Sequence, residues 1–197
     1  MPLIDASYFN GQIILPGVTS PDLLPAYNNA IAEYEEVYLR GLLGPSLYDA
    51  FMYGLDNANR TIFSDQFTSQ FQQSPLDERW DWILNGNVFD YGTRELQWPG
   101  LRFTLGGVKK SPIANFIYSR YRRDFNTDYT QSGQSARVSE NAVRVSAVPK
   151  MVEVWNRMVE WNRSLGYMLT GLSANYPEFS PRSTDPCLYD YQNEFGI

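Results

Sequence analysis

The 197-residue chain is long enough for one domain with a real hydrophobic core, since 43% of its residues are hydrophobic and 19% are charged. It carries a net charge of −6, a single cysteine and no histidine. These counts exclude an internal disulfide, a multi-cysteine metal site, and the catalytic and metal centres that depend on histidine. Chemistry based on carboxylates or on lysine alone passes this test.

Aromatic residues stand out, with 14 Tyr, 11 Phe and 5 Trp. Tyr and Trp combine an apolar body with a polar tip, so they suit surfaces that are wet before assembly and dry afterwards. Filling the core is an equally open explanation for any one of these rings. The apolar stretches are far shorter than a membrane span, and residues 1–16 lack the basic start of a signal peptide, so we expect neither.

The N-terminal part predicts an extended arm over residues 1–20 that leads into a helix. Gly and Pro interrupt the apolar residues of this arm, which favours a short strand or loop. Ser20 and Pro21 are typical of a helix start, and apolar residues then recur at three- and four-residue spacing up to Leu42. The acidic residues placed away from this apolar face, or on its rim, are Glu33, Glu35 and Glu36.

A second helix follows the first almost without a break. Gly44 predicts the end of the first helix and Pro45 the start of the second, which the apolar spacing continues to Leu55. The sequence then turns polar and irregular. Residues 74–77 form a capping signature for a short helix that reaches Leu84.

The second half of the chain predicts two more helices among less regular segments. Residues 86–107 are rich in Gly and aromatics and indicate a small β-hairpin or loop. A helix is predicted over 111–126, because it opens with a Ser-Pro pair and carries apolar residues at helical spacing. A long polar arm over 127–148 follows, and the final helix covers 149–169.

These elements predict a mainly α protein, a bundle of about four to five helices. Residues 1–175 are expected to form a single domain with inserted arms. Residues 176–197 are rich in Pro and Tyr, which predicts an irregular tail that docks a partner. Deleting this tail should then weaken partner binding and leave the body folded.

Charge is divided along the chain. Residues 1–108 carry five Lys/Arg against thirteen Asp/Glu, residues 109–163 ten against five, and residues 164–197 one against four. The basic segment is open to three interpretations: contact with nucleic acid, a head-to-tail interface with the acidic part of another copy, or neutralisation within one fold. The candidates for contact with nucleic acid are Lys109, Lys110, Arg120, Arg122 and Arg123.

No constellation typical of an active site accompanies these features. The Gly106-Gly107 pair lacks the spacing of a phosphate-binding loop, and a flexible turn is the simpler reading. Carboxylates cluster near Glu35 and near Asp77, but a glycosidase needs two of them across a cleft, and capping accounts for Asp77. Cys187 reads as an inert thiol. The sequence therefore predicts no catalysis, no metal and no cofactor.

Three stretches, in order, resemble a family of small head–tail connector proteins of tailed phages, notably those of Bacteroidetes hosts. Residues 38–51 (YLRGLLGPSLYDAF) resemble its helix–Gly–Leu-Tyr turn, and residues 109–124 (KKSPIANFIYSRYRRD) its Pro-initiated helix. Residues 139–161 (SENAVRVSAVPKMVEVWNRMVEW) resemble its arm and the Trp-Asn helix that follows. The three stretches cover about a quarter of the chain.

The resemblance implies a structural adaptor that forms a ring of twelve copies beneath the portal, with DNA passing through the lumen. Its partners would be other copies of itself, the portal protein and the next tail or neck ring protein. Such a protein is made in the host cytoplasm, ends in the virion and contacts no membrane. Lys109 and Lys110 would face the lumen or the DNA. Contacts with subunits or partners would come from Arg120, Arg122, Arg123, Arg137, Arg144, Val145, Tyr189, Tyr191 and Phe195.

Other functions remain open at this point. Within the virion, the chain could be a different neck or tail-completion protein. From other classes, a carboxylate-based glycan hydrolase using Glu35 and Asp77 and a monomeric protein-binding module are alternatives. Light scattering and a polysaccharide-cleavage assay would separate them.

Overall fold

The computed structural model describes the residues in the ranges 2–11, 13–15, 21–22, 24–64, 77–125, 127–130, 133–136 and 148–193. Within these ranges the chain is mainly α, with small antiparallel hairpins and irregular ends, as the sequence predicts. The α-helices in these ranges are α1 (Leu24–Leu43), α2 (Pro45–Ser64), α3 (Glu78–Asn85), α4 (Pro112–Phe125) and α5 (Val148–Gly171).

The strands pair only as two-stranded antiparallel hairpins in the described part of the chain. They are β1 (Asn87–Tyr91) with β2 (Arg94–Trp98), β3 (Phe103–Leu105) with β4 (Val108–Lys110), and β5 (Thr127–Thr130) with β6 (Gly133–Ala136). The first two pairs confirm the hairpin expected near residues 86–107. The turn between β3 and β4 is Gly106-Gly107, and both glycines have positive φ, as a type I′ hairpin turn requires.

The tight connection between α1 and α2 is confirmed. Gly44 takes a φ of +73°, which favours glycine, and the amide of Tyr48 already donates to the Gly44 carbonyl in the first turn of α2. The start of α1 was placed too early, because Pro21 lies in a turn and the helix begins at Leu24. The end of α2 was placed too early as well, since the helix continues to Ser64.

The core is built around α4. This helix packs against α1 on one side and α5 on the other, and every residue from 111 to 119 is buried. Two polar side chains in that stretch are satisfied internally: Asn115 Nδ2 donates to the Val154 carbonyl at 3.2 Å, and Ser119 Oγ to the Asn115 carbonyl at 3.0 Å. Buried polar groups with partners cost little, so α4 can lie at the centre of the bundle.

A buried polar network joins α1, α5 and the C-terminal segment. Asn162 is 0% exposed; its side-chain oxygen accepts a hydrogen bond from the Tyr38 hydroxyl, and its amide nitrogen donates to the Leu188 carbonyl at 2.7 Å. Burial raises the pKa of Tyr38 well above its ordinary value, so this hydroxyl stays a neutral donor.

Asn162→Ala is expected to lower the free energy of unfolding by about 3 kcal/mol, because it leaves the Tyr38 hydroxyl and the Leu188 carbonyl buried without partners. Urea denaturation followed by circular dichroism measures this change. Tyr38→Phe in the Asn162→Ala background removes one of the two unpaired groups, so the double variant should lose less than the two single losses added together. Additive losses would contradict the network.

The N-terminal arm lies on the body. Residues Ala6–Phe9 form a 3-10 turn, and Ile4 and Phe9 are buried against the core. Glu35 of α1 anchors the arm: its carboxylate oxygens accept hydrogen bonds from the amides of Leu3 at 2.7 Å and Ile4 at 3.2 Å. The prediction that Glu35 lies on the rim of α1 or away from its apolar face is therefore wrong. Glu35 is 5% exposed, and its hydrogen-bond partners belong to the N-terminal arm.

The long arm between α4 and α5 has local structure at its start. Residues 127–136 form the β5–β6 hairpin, which sequence analysis did not foresee because this stretch has few large apolar residues. The rest of the arm, at 137–147, lies outside the described residues. The hairpin continues directly from α4, so it extends from the end of the helix whose last turn carries Arg122 and Arg123.

The C-terminal segment folds back onto the helices. Residues 172–193 contain 3-10 turns at Pro181–Ser183 and Pro186–Tyr189, and bury Tyr176 and Leu188 in the core. The amide of Asp185 donates to the Gly41 carbonyl at 2.8 Å. The expected boundary at residue 175 between a body and a tail therefore falls inside packed structure, and residues 176–193 are part of the body; residues 194–197 lie outside the described part.

Candidate interaction surface

A groove lies between α5, the end of β1 and the C-terminal segment. It has a volume of about 700 Å³ and is open to solvent along one side. Its walls are rich in aromatic and proline side chains and include two arginines. Its lining includes Tyr91, Arg163, Tyr167, Arg182, Tyr189 and Asp190.

Aromatic rings form one wall of the groove. The rings of Tyr91 and Tyr167 pack with centroids 5.2 Å apart, and both residues remain exposed. Gly171 lies beside this pair. A Cβ added to Gly171 would lie 3.3 Å from the Tyr91 ring, so the hairpin β1–β2 approaches α5 closely there. Exposed rings held in place by packing provide contact area at low entropic cost, which suits a binding surface.

The C-terminal segment that borders the groove is held by hydrogen bonds from α5 to its backbone carbonyls. Trp155 Nε1 donates to the Asp190 carbonyl at 3.0 Å, and Asn156 Nδ2 to the Gln192 carbonyl at 2.9 Å. The hydroxyl of Tyr189 donates to the Leu42 carbonyl of α1 at 3.1 Å, and burial raises the pKa of Tyr189 to about 12. The groove is therefore a fixed feature of the fold, bounded by anchored chain on both sides.

The two arginines give the groove positive charge. Arg163 donates from Nε and Nη2 to the Tyr189 carbonyl at 3.0 and 2.8 Å, and its guanidinium lies 4.3 Å from the ring centroid of Tyr191. A carbonyl and a ring orient this cation without neutralising it. Arg182 is exposed, and within the described ranges neither arginine forms an ion pair with a carboxylate.

The basic residues named from the sequence do not form one patch. Lys109 lies on β4, where Nζ donates to Ser7 Oγ at 2.7 Å and pairs with Asp5 at 3.8 Å, and Lys110 is partly buried on the same strand. Arg122 belongs to the other end of α4, about 15 Å away along the helix axis. Lys109 is thus partly neutralised within its own chain, as one of the three interpretations of the charge pattern expects.

The remaining named residues have different positions. Arg120 is partly buried, with its guanidinium 5.3 Å from the Phe116 ring centroid, and Arg123 is exposed in the last turn of α4. Tyr189 lines the groove, and Tyr191 lies over Arg163. The predicted contact residues outside the described ranges are Arg137, Arg144, Val145 and Phe195.

Sequence analysis missed three residues of the groove, Arg163, Tyr167 and Arg182. Arg163 and Tyr167 belong to an α5 whose apolar face was recognised, but the segment that covers this helix could not be identified from periodicity. Arg182 is the one basic residue of an otherwise acidic C-terminal region, which is the only sequence signal that singles it out.

An acidic surface lies on the outer side of the α1–α2 hairpin. Tyr53 is 69% exposed, and Asp49 and Asp56, one turn before and after it on α2, are exposed as well. Arg40 pairs with Glu36 at 2.9 Å and approaches Asp49 at 3.5 Å, but these side chains are largely solvated, so the pairs contribute little to stability.

The carboxylates that a glycan hydrolase would need are already engaged. Glu35 borders a small cavity of about 220 Å³ but accepts the two amides of the N-terminal arm. Asp77 caps α3, where its side chain accepts the amide of Arg79 at 3.2 Å. Among the described residues no group of three or more acidic or cysteine side chains is arranged to hold a metal ion.

Glu35 should make stability depend on pH. Burial raises the pKa of its carboxyl above the ordinary 4.5, against the smaller opposing effect of the Leu3 and Ile4 amides. The folded state then binds more protons than the unfolded state as pH rises from 4.5 to the folded pKa, so stability falls across that interval. The difference in free energy of unfolding between wild type and Glu35→Gln should decline as pH rises there, measured by urea denaturation at each pH. A difference independent of pH would contradict this.

In the described part of the chain, no helix has the length and apolar character to cross a membrane. No family model matches this chain, and neither a curated protein nor a solved structure matches it.

Proposed function

We propose that this chain is a structural virion protein that forms a ring at the head–tail junction of a tailed phage and bridges the portal and the tail. In this role it binds other copies of itself, the portal protein and the next ring, and it carries out no reaction. The chain is made in the host cytoplasm and is incorporated into the particle. A different neck or tail-completion protein is the nearest alternative.

The arm between α4 and α5 is the observation that carries the proposal. The β5–β6 hairpin lies in the chain between the two central helices α4 and α5, and within the described ranges no third strand joins it. A lone two-stranded hairpin is marginally stable in water and has two open edges, so it gains stability when a neighbouring molecule covers it. An arm of this kind suits a protein that completes its fold by assembling.

The three stretches that carry the resemblance support the same role. They fall on the α1–α2 turn, on α4, and on the end of the arm with α5, and these helices pack against one another at the centre of the body. The resemblance thus covers helices that pack together in the body. An enzyme has less support, because both candidate carboxylates serve as structural acceptors.

Imaging of the native particle tests the proposal. Antibodies raised against the full chain should label the neck of the particle, and cryo-electron microscopy should show a ring there whose subunits accommodate the α1–α2 and α4–α5 pairs. Label on the capsid shell or the tail tip, or absence of the chain from purified particles, would overturn the proposal. A full chain that cleaves capsular polysaccharide, with activity lost in Asp77→Asn, would favour the hydrolase.

A further inference from the structure

An exposed tyrosine bordered by carboxylates and an aromatic groove bordered by arginines lie on the same chain. Tyr53 projects from α2 between two exposed carboxylates, Asp49 and Asp56. The groove on α5 is lined by aromatic rings and bordered by Arg163 and Arg182. A ring bordered by two exposed carboxylates, one of which Arg40 approaches at 3.5 Å in solvent, is therefore a counterpart to a slot bordered by two arginines.

We propose that Tyr53 of one copy enters the groove of a second copy, and that Asp49 and Asp56 meet Arg163 and Arg182 there. The inference rests on the proposed function, because it specifies how the subunits of a ring contact one another. Tyr53 with Asp49 and Asp56, the knob, lies on the α1–α2 hairpin. The groove lies on α5 and the C-terminal segment, so the contact joins two different surfaces. Such a heterologous contact repeats from copy to copy and closes into a ring when the rotation fits.

The groove is ready to receive an anionic, ring-bearing partner. Arg163 is already oriented by the Tyr189 carbonyl and the Tyr191 ring, so little side-chain entropy remains to be lost when a carboxylate binds. Asp190 also lines the groove, and its backbone carbonyl accepts a hydrogen bond from the Trp155 indole. Desolvated aromatic anchors with arginine at their border are the composition that contributes most to protein interfaces.

A second copy fits the groove better than a nucleic acid does. Among the described residues two arginines border it, Asp190 offsets part of their charge, and the chain as a whole carries −6. Phosphate backbones bind where several cations follow the strand, and affinity grows with their number. The knob, by contrast, pairs one exposed ring with two carboxylates and is present in every copy of the chain.

Cross-linking through the single native cysteine tests the contact. Cys187 is exposed and follows Pro186, which lines the groove, so a bismaleimide can join at most two wild-type chains. Ser46→Cys places a second thiol on the exposed face of α2, two turns before Tyr53, and leaves the knob intact. At the highest soluble concentration, the Ser46→Cys chain should give a ladder of dimers, trimers and larger species, with peptides containing residues 46 and 187 joined.

Matched variants identify the surfaces that meet. Ile14→Cys adds a thiol at another exposed position, on the N-terminal arm, where Ile14 is 67% exposed, and should give dimers at most. Arg182→Glu in the Ser46→Cys chain should reduce the ladder at least tenfold, because a like charge would face Asp49 and Asp56, and Arg182→Lys should retain it. A ladder of equal extent from Ile14→Cys, no ladder from Ser46→Cys, or a ladder insensitive to Arg182→Glu would overturn the proposal.

The outcomes also separate this inference from the proposed function. A labelled neck ring in the particle without a ladder would leave the function standing and remove the knob-and-groove contact. A ladder without a neck ring would leave the contact standing and remove the function. If short duplex DNA binds the chain, Arg182→Glu weakens that binding and no ladder forms, the groove belongs to nucleic acid and the contact is overturned.

Discussion

Gly86→Ala is expected to destabilise the fold by about 4 kcal/mol, a large fraction of the total stability of a typical domain. Gly86 ends α3 with a φ of +99° and a ψ of 164°, a conformation that is essentially restricted to glycine. An added Cβ would lie 2.5 Å from the Trp98 carbonyl oxygen and 2.7 Å from the Pro99 carbonyl carbon. The expected loss combines backbone strain and overlap, each of which costs about 1–3 kcal/mol.

The overlap cannot relax, because backbone hydrogen bonds hold the two segments together. The amide of Leu101 donates to the Ile83 carbonyl at 3.0 Å, and that of Arg102 to the Leu84 carbonyl at 3.1 Å. The indole of Trp98 also donates to Ile83 at 3.1 Å. Gly100, with a φ of +101°, faces the same crossing from the other side, so Gly100→Ala should cost a similar amount.

Gly92→Ala is the matched control. Gly92 also has positive φ, +64°, but an added Cβ there meets nothing within 4 Å, so only the strain of about 1 kcal/mol applies. Urea denaturation followed by tryptophan fluorescence and circular dichroism gives both values. Equal losses in Gly86→Ala and Gly92→Ala would show that the close approach of the two backbones has no energetic weight.

The parts of the fold that could be predicted are those with local signals. Gly44 and Pro45 mark the α1–α2 turn because the geometry of a helix end and of a helix start depends on the few residues around it. The Ser111-Pro112 pair marks α4 in the same way: the Ser111 hydroxyl accepts the amide of Ile113 at 3.1 Å. The capping signature at 74–77 predicts a short helix there, and α3 does follow it, but the helix begins at Glu78 with Asp77 as its N-cap, which accepts the amide of Arg79; Ser74 lies outside the described residues.

The parts that could not be predicted depend on segments distant in sequence. From the sequence, Glu35 is interpreted as a rim residue of α1. Its partner, the amide of Leu3, is 32 residues away in the chain, so periodicity cannot show that the two meet. Asn162 likewise reads as a polar interruption in α5, although it joins Tyr38 to Leu188 across the core. Periodicity places such residues on a helix face but carries no information about which chain covers that face.

The groove residues also fall into those that local sequence signals identify and those that only tertiary contacts identify. Tyr189 and Tyr191 were named because rings near a chain end suggest docking, and both border the groove or its arginine. Arg163 could not be distinguished from the other basic residues of its segment, because its role depends on the carbonyl of Tyr189, 26 residues away. Charge counts along the chain found the basic segment, and only tertiary contacts separate the cations neutralised within the chain from those left facing outward.

Deleting residues 176–197 is expected to destabilise the body by about 5 kcal/mol or more, contrary to the expectation from sequence that this segment is a dispensable tail. The deletion removes Tyr176 and Leu188, which are 1% and 2% exposed in the core. It also leaves the buried amide of Asn162 and the indole of Trp155 without their carbonyl acceptors. Each buried side chain contributes about 2 kcal/mol and each unsatisfied donor costs about 1–3 kcal/mol.

Point variants test the contribution of the C-terminal segment to stability in the full-length chain. Leu188→Ala should lower the free energy of unfolding by about 3 kcal/mol, because a side chain at 2% exposure leaves a cavity when it is shortened. Tyr191→Ala, in the same segment but 47% exposed, should change it by about 0.5 kcal/mol or less. Urea denaturation of the full chain, the two variants and the truncated chain measures all four. If the truncated chain and Leu188→Ala unfold at the wild-type midpoint, the segment contributes nothing to the body, and its side chains are free for a partner as the sequence first suggested.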